Sequence, residues 1–479
     1  MPHPAIKNNK TKIIATVGPA CYSEKILEKM IKGGVDIFRI NFSHGSYDEV
    51  KKVILSIRAI NKRLKTNIGI LADLQGPKIR IGKVKNNSVL LKEGKAISFT
   101  SKPCVGDETK LYINYAHFPS DVSIGDRILI NDGKFLFKVT GTNKKDLVKA
   151  EIVQGGLLSS NKGVNLPNTK ISLPCLTEKD LQDLDFALAN HVEWIGLSFV
   201  RSVTDVVDLK AIIKEKKKHA RVIAKIEKPE ALKEIDNIID LADGIMVARG
   251  DLGVELPMEQ VPMIQKMLVE KCINASRPVI IATQMMESMI ENFTPTRAEV
   301  NDVANAVMDG ADAVMLSAET SVGKFPVEVI HCMQKIVSRV EQEERIYFRE
   351  HSPSLKTQTF ISDSICYNAC VMARQANVSA IITMTNSGYT AFKISSHRPR
   401  ANIYVFTDNH TLLTTLSLVW GVLGFYYDRY ESTDKTMEDL KNYLKKEGML
   451  KTDDLVINTA SMPLSEKGRT NMLRLSQVE

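Results

Sequence analysis

At 479 residues the chain is too long for one ordinary core and should hold two to four domains. Hydrophobic residues make up 44% and charged residues 25%, as in a soluble globular protein; no apolar run spans a bilayer, and the first ten residues lack the apolar centre of a secretory signal. A net charge of +8 raises nucleic acid as a partner, but Lys and Arg are interspersed with Asp and Glu and no aromatic-basic motif accompanies them, so small phosphorylated substrates fit better.

From Lys12 onward strand-like and helix-like segments alternate. Nearly all-apolar strands are predicted at 12–17, 36–42, 67–73, 194–200, 221–227, 244–250, 278–284 and 313–319, the pattern of strands buried on both faces. Helices are predicted at 24–31, 47–64, 178–190, 205–219, 230–241, 261–275, 297–308 and 326–345, with apolar residues recurring at three and four, as in Ile54, Ile57, Ile60 and Leu64. Thr177 stands three before Asp180, and Pro229 and Pro326 occupy first-turn positions. Eight strands alternating with eight helices is the sequence form of a (β/α)8 barrel.

Between Asp73 and Pro174 the pattern changes to period two. Asn131-Asp132-Gly133 separates two alternating runs within 127–139 and predicts a hairpin. This stretch reads as a β-barrel lid domain inserted after the third strand. Past Gln342, helices at 363–376, 410–419 and 434–447 mix with strands at 379–385, 401–407, 422–427, 454–460 and 471–477, an open α/β sheet. The expected division is barrel over 1–77 and 173–345, lid over 78–172, and C-terminal domain over 346–479. Seven scattered cysteines without a Cys-x-x-Cys pair read as reduced thiols of a cytoplasmic protein.

Barrel active sites lie at the carboxyl ends of the strands, so polar residues there are informative. Lys225 and Glu227 point to one face at the end of the fifth strand, and Arg249-Gly250-Asp251 ends the sixth. If those strands are parallel neighbours, two carboxylates and an ammonium converge, as a divalent cation and a phosphate require; a structural ion pair at a strand end is the alternative. The other ends carry Arg39, Asn41, Ser43 and His44, then Asp73, Lys78 and Arg80, then Ser198, Thr283 with Gln284, and Ser317 with Glu319 and Thr320. Singly, Arg39 and Asp73 fit a cross-strand ion pair, and Thr283 or Ser317 a helix cap. Together they suggest phosphoryl transfer: Glu227 and Asp251 for Mg²⁺ or Mn²⁺, Lys225, Arg39 and Arg80 for moving negative charge, and Gly250 for close approach of an anion to backbone N–H groups. No P-loop or protein-kinase signature is present, so a nucleotide would sit between barrel mouth and lid, where Asp132 and Lys162 are candidates.

Arg39-Ile-Asn-Phe-Ser-His-Gly45, Lys162-Gly-Val-Asn-Leu-Pro167, Lys225-Ile-Glu227, the run Ile245–Gly253, Ala282–Met289 and Pro295–Glu299 resemble pyruvate kinase, collinearly from about Lys12 to the C-terminus. The resemblance implies phosphoenolpyruvate and ADP as substrates, pyruvate and ATP as products, and a homotetramer. It implies that Glu227 and Asp251 bind the divalent metal, and that Lys225 stabilises the phosphoryl group in transit and the enolate. Gly250, Asp251, Thr283, Arg39 and Ser198 would border the substrate, with Thr283 near the face where the enolate is protonated, directly or through a water. Asn41, Arg80, His44 and Lys162 would face the nucleotide. Asn41, Ser43, Asp73 and Leu74 match a monovalent-cation site. The motif from Asp73 departs there from potassium-requiring members, with Leu74, Gln75 and Lys78, and resembles potassium-independent ones, so K⁺ is expected to be dispensable. Thr385-Asn-Ser387-Gly388-Tyr-Thr390 resembles a loop for a sugar-phosphate effector, with Asn386 and Tyr389 where many relatives carry a basic residue. A catalytically silent homologue that binds metabolites, or a barrel lyase acting on a pyruvate enolate, are the alternative functions.

Overall fold

The computed structural model describes residues 9–43, 45–167, 169–429, 432–462 and 468–479. Eight parallel strands, Lys12–Thr16, Ile37–Asn41, Gly69–Asp73, Trp194–Leu197, Arg221–Ile226, Gly244–Ala248, Val279–Ala282 and Ala313–Leu316, close into a barrel in sequence order. Closure comes from the first strand pairing with the last, Lys12 opposite Ala313. Alternate residues face opposite ways. Ile14, Ile37, Leu71, Trp194, Ile223 and Met246 fill the interior, whereas Ile13, Phe38, Ile70 and Ile195 pack outward among the helices.

Helix boundaries follow their caps. Capping boxes at Ser46/Glu49, Thr177/Asp180 and Thr296/Glu299 start three of the outer helices. The helix expected from 205 begins at Val203, because Asp205 accepts the Ser202 N–H at 3.1 Å as a third-position cap residue. The helix expected over 230–241 divides into Pro229–Lys233 and Ile235–Leu241. Glu234 between them leaves helical geometry (φ −114°, ψ 19°), and its carboxylate accepts the Val203 N–H at 3.0 Å. The strand expected to reach 200 stops at Leu197; Phe199 two residues later has φ +55°.

The inserted region holds a six-stranded sheet and a two-stranded ribbon, Ser88–Leu91 with Gly156–Ser159. Its hairpin pairs Arg127–Ile130 with Phe135–Thr142 and turns through Asn131, Asp132 and Gly133, all at positive φ. Phe99, Phe118, Phe137, Leu111 and Ile128 form a core of its own.

The C-terminal sheet runs Val422–Tyr426, Asn402–Thr407, Ala380–Met384, Leu455–Ala460, Met472–Gln477, with only the last strand antiparallel. A helix at Tyr389–Ser396, where no element was expected, begins directly after Gly388 (φ +86°). Its Ser, Thr and Ile content carries little helix signal, and packing against Phe360–Gln375 supplies what propensity does not. This domain plugs the amino end of the barrel. Leu418 joins the barrel interior, and Trp194 Nε1 donates to the Thr415 carbonyl at 3.2 Å. Buried Arg398 donates to Asp312 and to the Gly310 carbonyl, each at 2.8 Å. Among the described residues no helix is long and apolar enough to cross a membrane.

Candidate active site

At the carboxyl end of the barrel three strands deliver one buried charge cluster. Register places Arg39 and Asp73 on neighbouring strands, with Gly196 beside Asp73 on the next. A methyl group at Gly196 would lie 3.1 Å from Asp73 Oδ1, so glycine there leaves the carboxylate its space. Arg39 Nε donates to Asp73 Oδ2 at 2.6 Å, and Arg39 Nη1 donates to Thr16 Oγ1 at 3.0 Å. Lys225 Nζ lies 3.1 Å from Asp73 Oδ1 and 2.9 Å from Glu227 Oε1, and donates to Ser198 Oγ at 2.7 Å. Ser198 Oγ in turn donates to the Leu74 carbonyl at 2.7 Å. Asp73, Lys225 and Glu227 are 1%, 8% and 2% exposed.

Their ionisation follows from that geometry. Burial alone would depress the Lys225 pKa, but the charges of Asp73 and then Glu227 outweigh it and raise the pKa above the usual lysine value. Burial would raise the Asp73 carboxyl, yet Lys225 and Arg39 hold it below the usual carboxylate range. Burial pushes the Glu227 carboxyl up; Lys225 pulls it back only in part, and the negative charge of Asp251 adds to the rise. The strand-end ion pair between Arg39 and Asp73 is therefore real, and it is one half of a larger network that fixes Lys225.

Glu227 Oε2 also accepts the Phe199 N–H at 2.9 Å. Asp251 lies in the first turn of the short helix Arg249–Glu255 that follows the sixth strand. Together the two carboxylates offer hard oxygen donors suited to Mg²⁺. Among the described residues no group of three or more His, Cys, Asp or Glu side chains is placed to hold a metal, so this pair would leave most of an ion's coordination to substrate oxygens or water.

Thr283, after the seventh strand, has φ +70°, and Gln284 has φ +54°. For a β-branched residue this is a strained conformation, and the surroundings enforce it. Thr283 Oγ1 donates to the Ala282 carbonyl at 2.5 Å and accepts the Gly250 N–H at 2.7 Å. Arg249 Nη2 donates to the Thr283 carbonyl at 2.8 Å, and Nη1 to Asp302 at 2.6 Å. Arg249, read from sequence only as part of a charged strand end, is the clamp on this turn.

The eighth strand end turns out to be structural. Glu319 accepts backbone N–H groups of Met286 and Ser317, and Thr320 Oγ1 donates to the Thr16 carbonyl at 2.8 Å. Ser317 contributes its backbone rather than a helix cap.

Between barrel and lid lies a narrow cleft whose walls include Lys78, Asp132, Phe199, Arg201 and Asp251. The hairpin turn of the lid thus reaches the barrel mouth. Lys162 is half-buried next to Gly163, which lines the same cleft. Arg80 Nη1 donates to the Asn161 carbonyl at 3.0 Å, tying the two lid edges together. Asn41 Oδ1 accepts the Ser43 N–H at 3.0 Å. His44 falls outside the described residues. Arg201, which sequence reading passed over, donates to the carbonyls of Ile171 at 2.6 Å and Leu173 at 2.7 Å where the lid returns to the barrel.

In the C-terminal loop, Thr385 Oγ1 accepts the Gly388 N–H at 3.0 Å, and Thr390 Oγ1 lies 2.5 Å from Thr470 Oγ1. The Ser387 carbonyl accepts from Arg221 at 3.1 Å. Tyr389 Oη donates to Asp363, which places a carboxylate beside the loop.

Two family profiles cover most of the sequence: "Pyruvate kinase, barrel domain" over residues 8–330 and "Pyruvate kinase, alpha/beta domain" over 363–476. The chain belongs to the pyruvate kinase family. A pyruvate kinase 2 of Synechocystis sp. is 42% identical over 98% of this chain and 79% of its own length. A pyruvate kinase of Thermococcus litoralis is 39% identical over 99% of both. The crystal structure of a pyruvate kinase from Cryptosporidium parvum superposes with a TM-score of 0.93 at 32% identity, covering 99% of this chain and 97% of that one. As a member of the pyruvate kinase family the protein is a glycolytic phosphotransferase, and the family generally works with a divalent metal such as Mg²⁺.

Proposed function

We propose that the cluster around Lys225 is the centre at which the phosphoryl group of phosphoenolpyruvate passes to ADP, giving pyruvate and ATP. The observation that carries this is Lys225 itself, held by Asp73, Glu227 and Ser198 at the barrel mouth below the lid. A fixed ammonium stabilises charge that moves in the transition state without reorganising to do so. The Arg39 guanidinium, anchored on Asp73 and Thr16, adds a second fixed cation. Glu227 and Asp251 would hold the divalent cation, which when bound neutralises charge on phosphoryl and enolate oxygens. Gly250 and Thr283 border the substrate, and Arg80, Lys162 and Asn41 face the nucleotide; His44, expected beside them, lies outside the described residues. The Thr283 hydroxyl already gives its proton to Ala282, which favours delivery of the enolate's new proton through a water. A coupled assay of ADP-dependent pyruvate formation, with a Lys225→Met control, tests the assignment. A silent homologue shows no product, and a lyase shows pyruvate formation indifferent to ADP.

We further propose that K⁺ is dispensable. Both oxygens of Asp73 already face cationic groups, and the Leu74 carbonyl accepts from Ser198, so the residues matching a monovalent-cation site exert little net pull on an ion. Lys78 is exposed at the hinge, lines the cleft with Asp251, and makes no ion pair among the described residues. Its ammonium is free to supply the charge that K⁺ brings elsewhere. A homotetramer is the assembly the family resemblance leads us to expect; light scattering tests it. A cytoplasmic location is supported by seven free thiols. For a sugar-phosphate effector, Ser387 and the Gly388 turn remain the candidate contacts, although Asp363 beside them weakens an anion site. Isothermal titration with sugar phosphates decides, and no heat from either wild type or Ser387→Glu removes the idea.

A further inference from the structure

One buried carboxylate oxygen joins the lid to both segments that carry the metal-binding carboxylates. Glu255 ends the helix Arg249–Glu255, and its side chain is 1% exposed. Its Oε1 accepts Lys228 Nζ at 2.6 Å and Asn165 Nδ2 at 2.9 Å. Asn165 belongs to the lid strand Val164–Asn165. Lys228 immediately follows Glu227, and Glu255 lies four residues beyond Asp251, one helical turn along the same face. Lys228, Asn165 and Asp251 line the cleft together.

The chemistry of the three groups divides the work. Lys228 and Glu255 are both buried and compensate each other, a pair that is costly to break but contributes little net stability when intact. Asn165 brings a neutral amide from the lid to the same oxygen. At this contact the lid parts from the barrel by giving up one hydrogen bond while the ion pair stays whole. The second tether, Arg201, grips backbone at the return hinge and does not touch Glu255.

We propose that Asn165, Lys228 and Glu255 are positioning residues: they dock the lid in one place relative to Glu227 and Asp251, so that nucleotide carried under the lid meets the phosphoryl group in register. This rests on the reading of Glu227 and Asp251 as the divalent-metal carboxylates, and Glu227→Gln tests that reading separately. Asn165→Ala removes the link without burying a charge. It should lower kcat about tenfold, leave the equilibrium Kd for phosphoenolpyruvate within twofold, and speed amide hydrogen exchange across 164–173 in the free protein. Asn165→Asp sets a carboxylate against Glu255 and should be worse than Ala. Adding Glu255→Gln to Asn165→Asp reverses the polarity, lets the new Asp meet Lys228, and should recover at least tenfold of the lost kcat. Thermal midpoints are measured alongside; a fold effect would lower midpoint and activity together and would not be rescued by the swap. Wild-type kinetics and exchange in Asn165→Ala, or a double variant no better than Asn165→Asp alone, overturns the proposal. Loss of activity in Glu227→Gln with unaltered Asn165→Ala leaves the metal reading standing and removes only the latch.

Discussion

Residues 78–172 contain sixteen Lys and Arg against eight Asp and Glu, a surplus equal to the +8 of the whole chain, so the barrel and C-terminal domain together are neutral. The two regions also hold their charges differently. Around the barrel mouth, Arg39, Lys225, Asp73 and Glu227 are largely buried and fixed by contacts of 2.6–3.1 Å. On the lid, Lys83, Lys85, Lys134 and Lys138 are exposed. A locked charge acts over a few ångströms and favours one arrangement of the reacting groups. A solvated surplus acts over a Debye length, about 8–10 Å near physiological salt, and favours any approaching polyanion. The contrast supports the proposal that chemistry belongs to the barrel and capture to the lid.

The largest effect should come from removing the most enclosed charge. Lys225→Met is expected to cut kcat by about 10³ or more, well above its effect on phosphoenolpyruvate affinity. A raised KM with unchanged kcat would show that Lys225 only holds substrate. Next come Glu227→Gln and Asp251→Asn, each costing about 10²–10³ in turnover with the fold retained. Near-normal rates for both at saturating Mg²⁺ would defeat the metal assignment. On the lid, effects should be several-fold and belong to capture. Raising salt from about 20 to 200 mM should lower kcat/KM for ADP while kcat holds, and a Lys83→Gln, Lys85→Gln, Lys134→Gln triple variant should flatten that dependence. Equal salt slopes in variant and parent would mean the lid surplus is idle. The smallest effect concerns K⁺: replacing it with tetramethylammonium should change activity less than twofold, and Lys78→Glu should restore dependence. Strong K⁺ activation of the parent chain would return Asn41, Ser43, Asp73 and Leu74 to the role of ion ligands.

The barrel was readable in the sequence because strands buried on both faces leave long apolar runs, and because strand ends are where polar residues must then appear. Lys225, Glu227 and Arg39 emerged that way. What could not be read was partnership across strands. Asp73 alone suggests a pair with Arg39, but that it also braces Lys225, with Gly196 giving it room, needs the register between three strands. Ser317 and Glu319 looked alike in kind to Thr283, yet the Glu319 carboxylate is spent on backbone N–H groups. Arg249 and Glu255 stand within and just beyond the run Ile245–Gly253. The contacts of Arg249 depend on a turn whose positive φ no local pattern announces, and those of Glu255 on a lid strand 90 residues away in sequence.

Where the lid is spliced into the chain also bears on how the molecule folds. Ile70 on the third strand donates to Glu193, which precedes the fourth, across 123 residues of sequence, and the lid occupies most of that interval. Closing so long a loop delays the barrel's ring, since entropy must be lost before the strands pair. The lid has a core separate from the barrel's and leaves the ribosome before the second half of the barrel. Once folded it draws the two sides of the gap together and shortens the effective loop, each halving lowering the closure cost by about 0.6 kcal/mol. The domain proposed to capture nucleotide in the finished enzyme thus serves first as the splint on which the barrel closes.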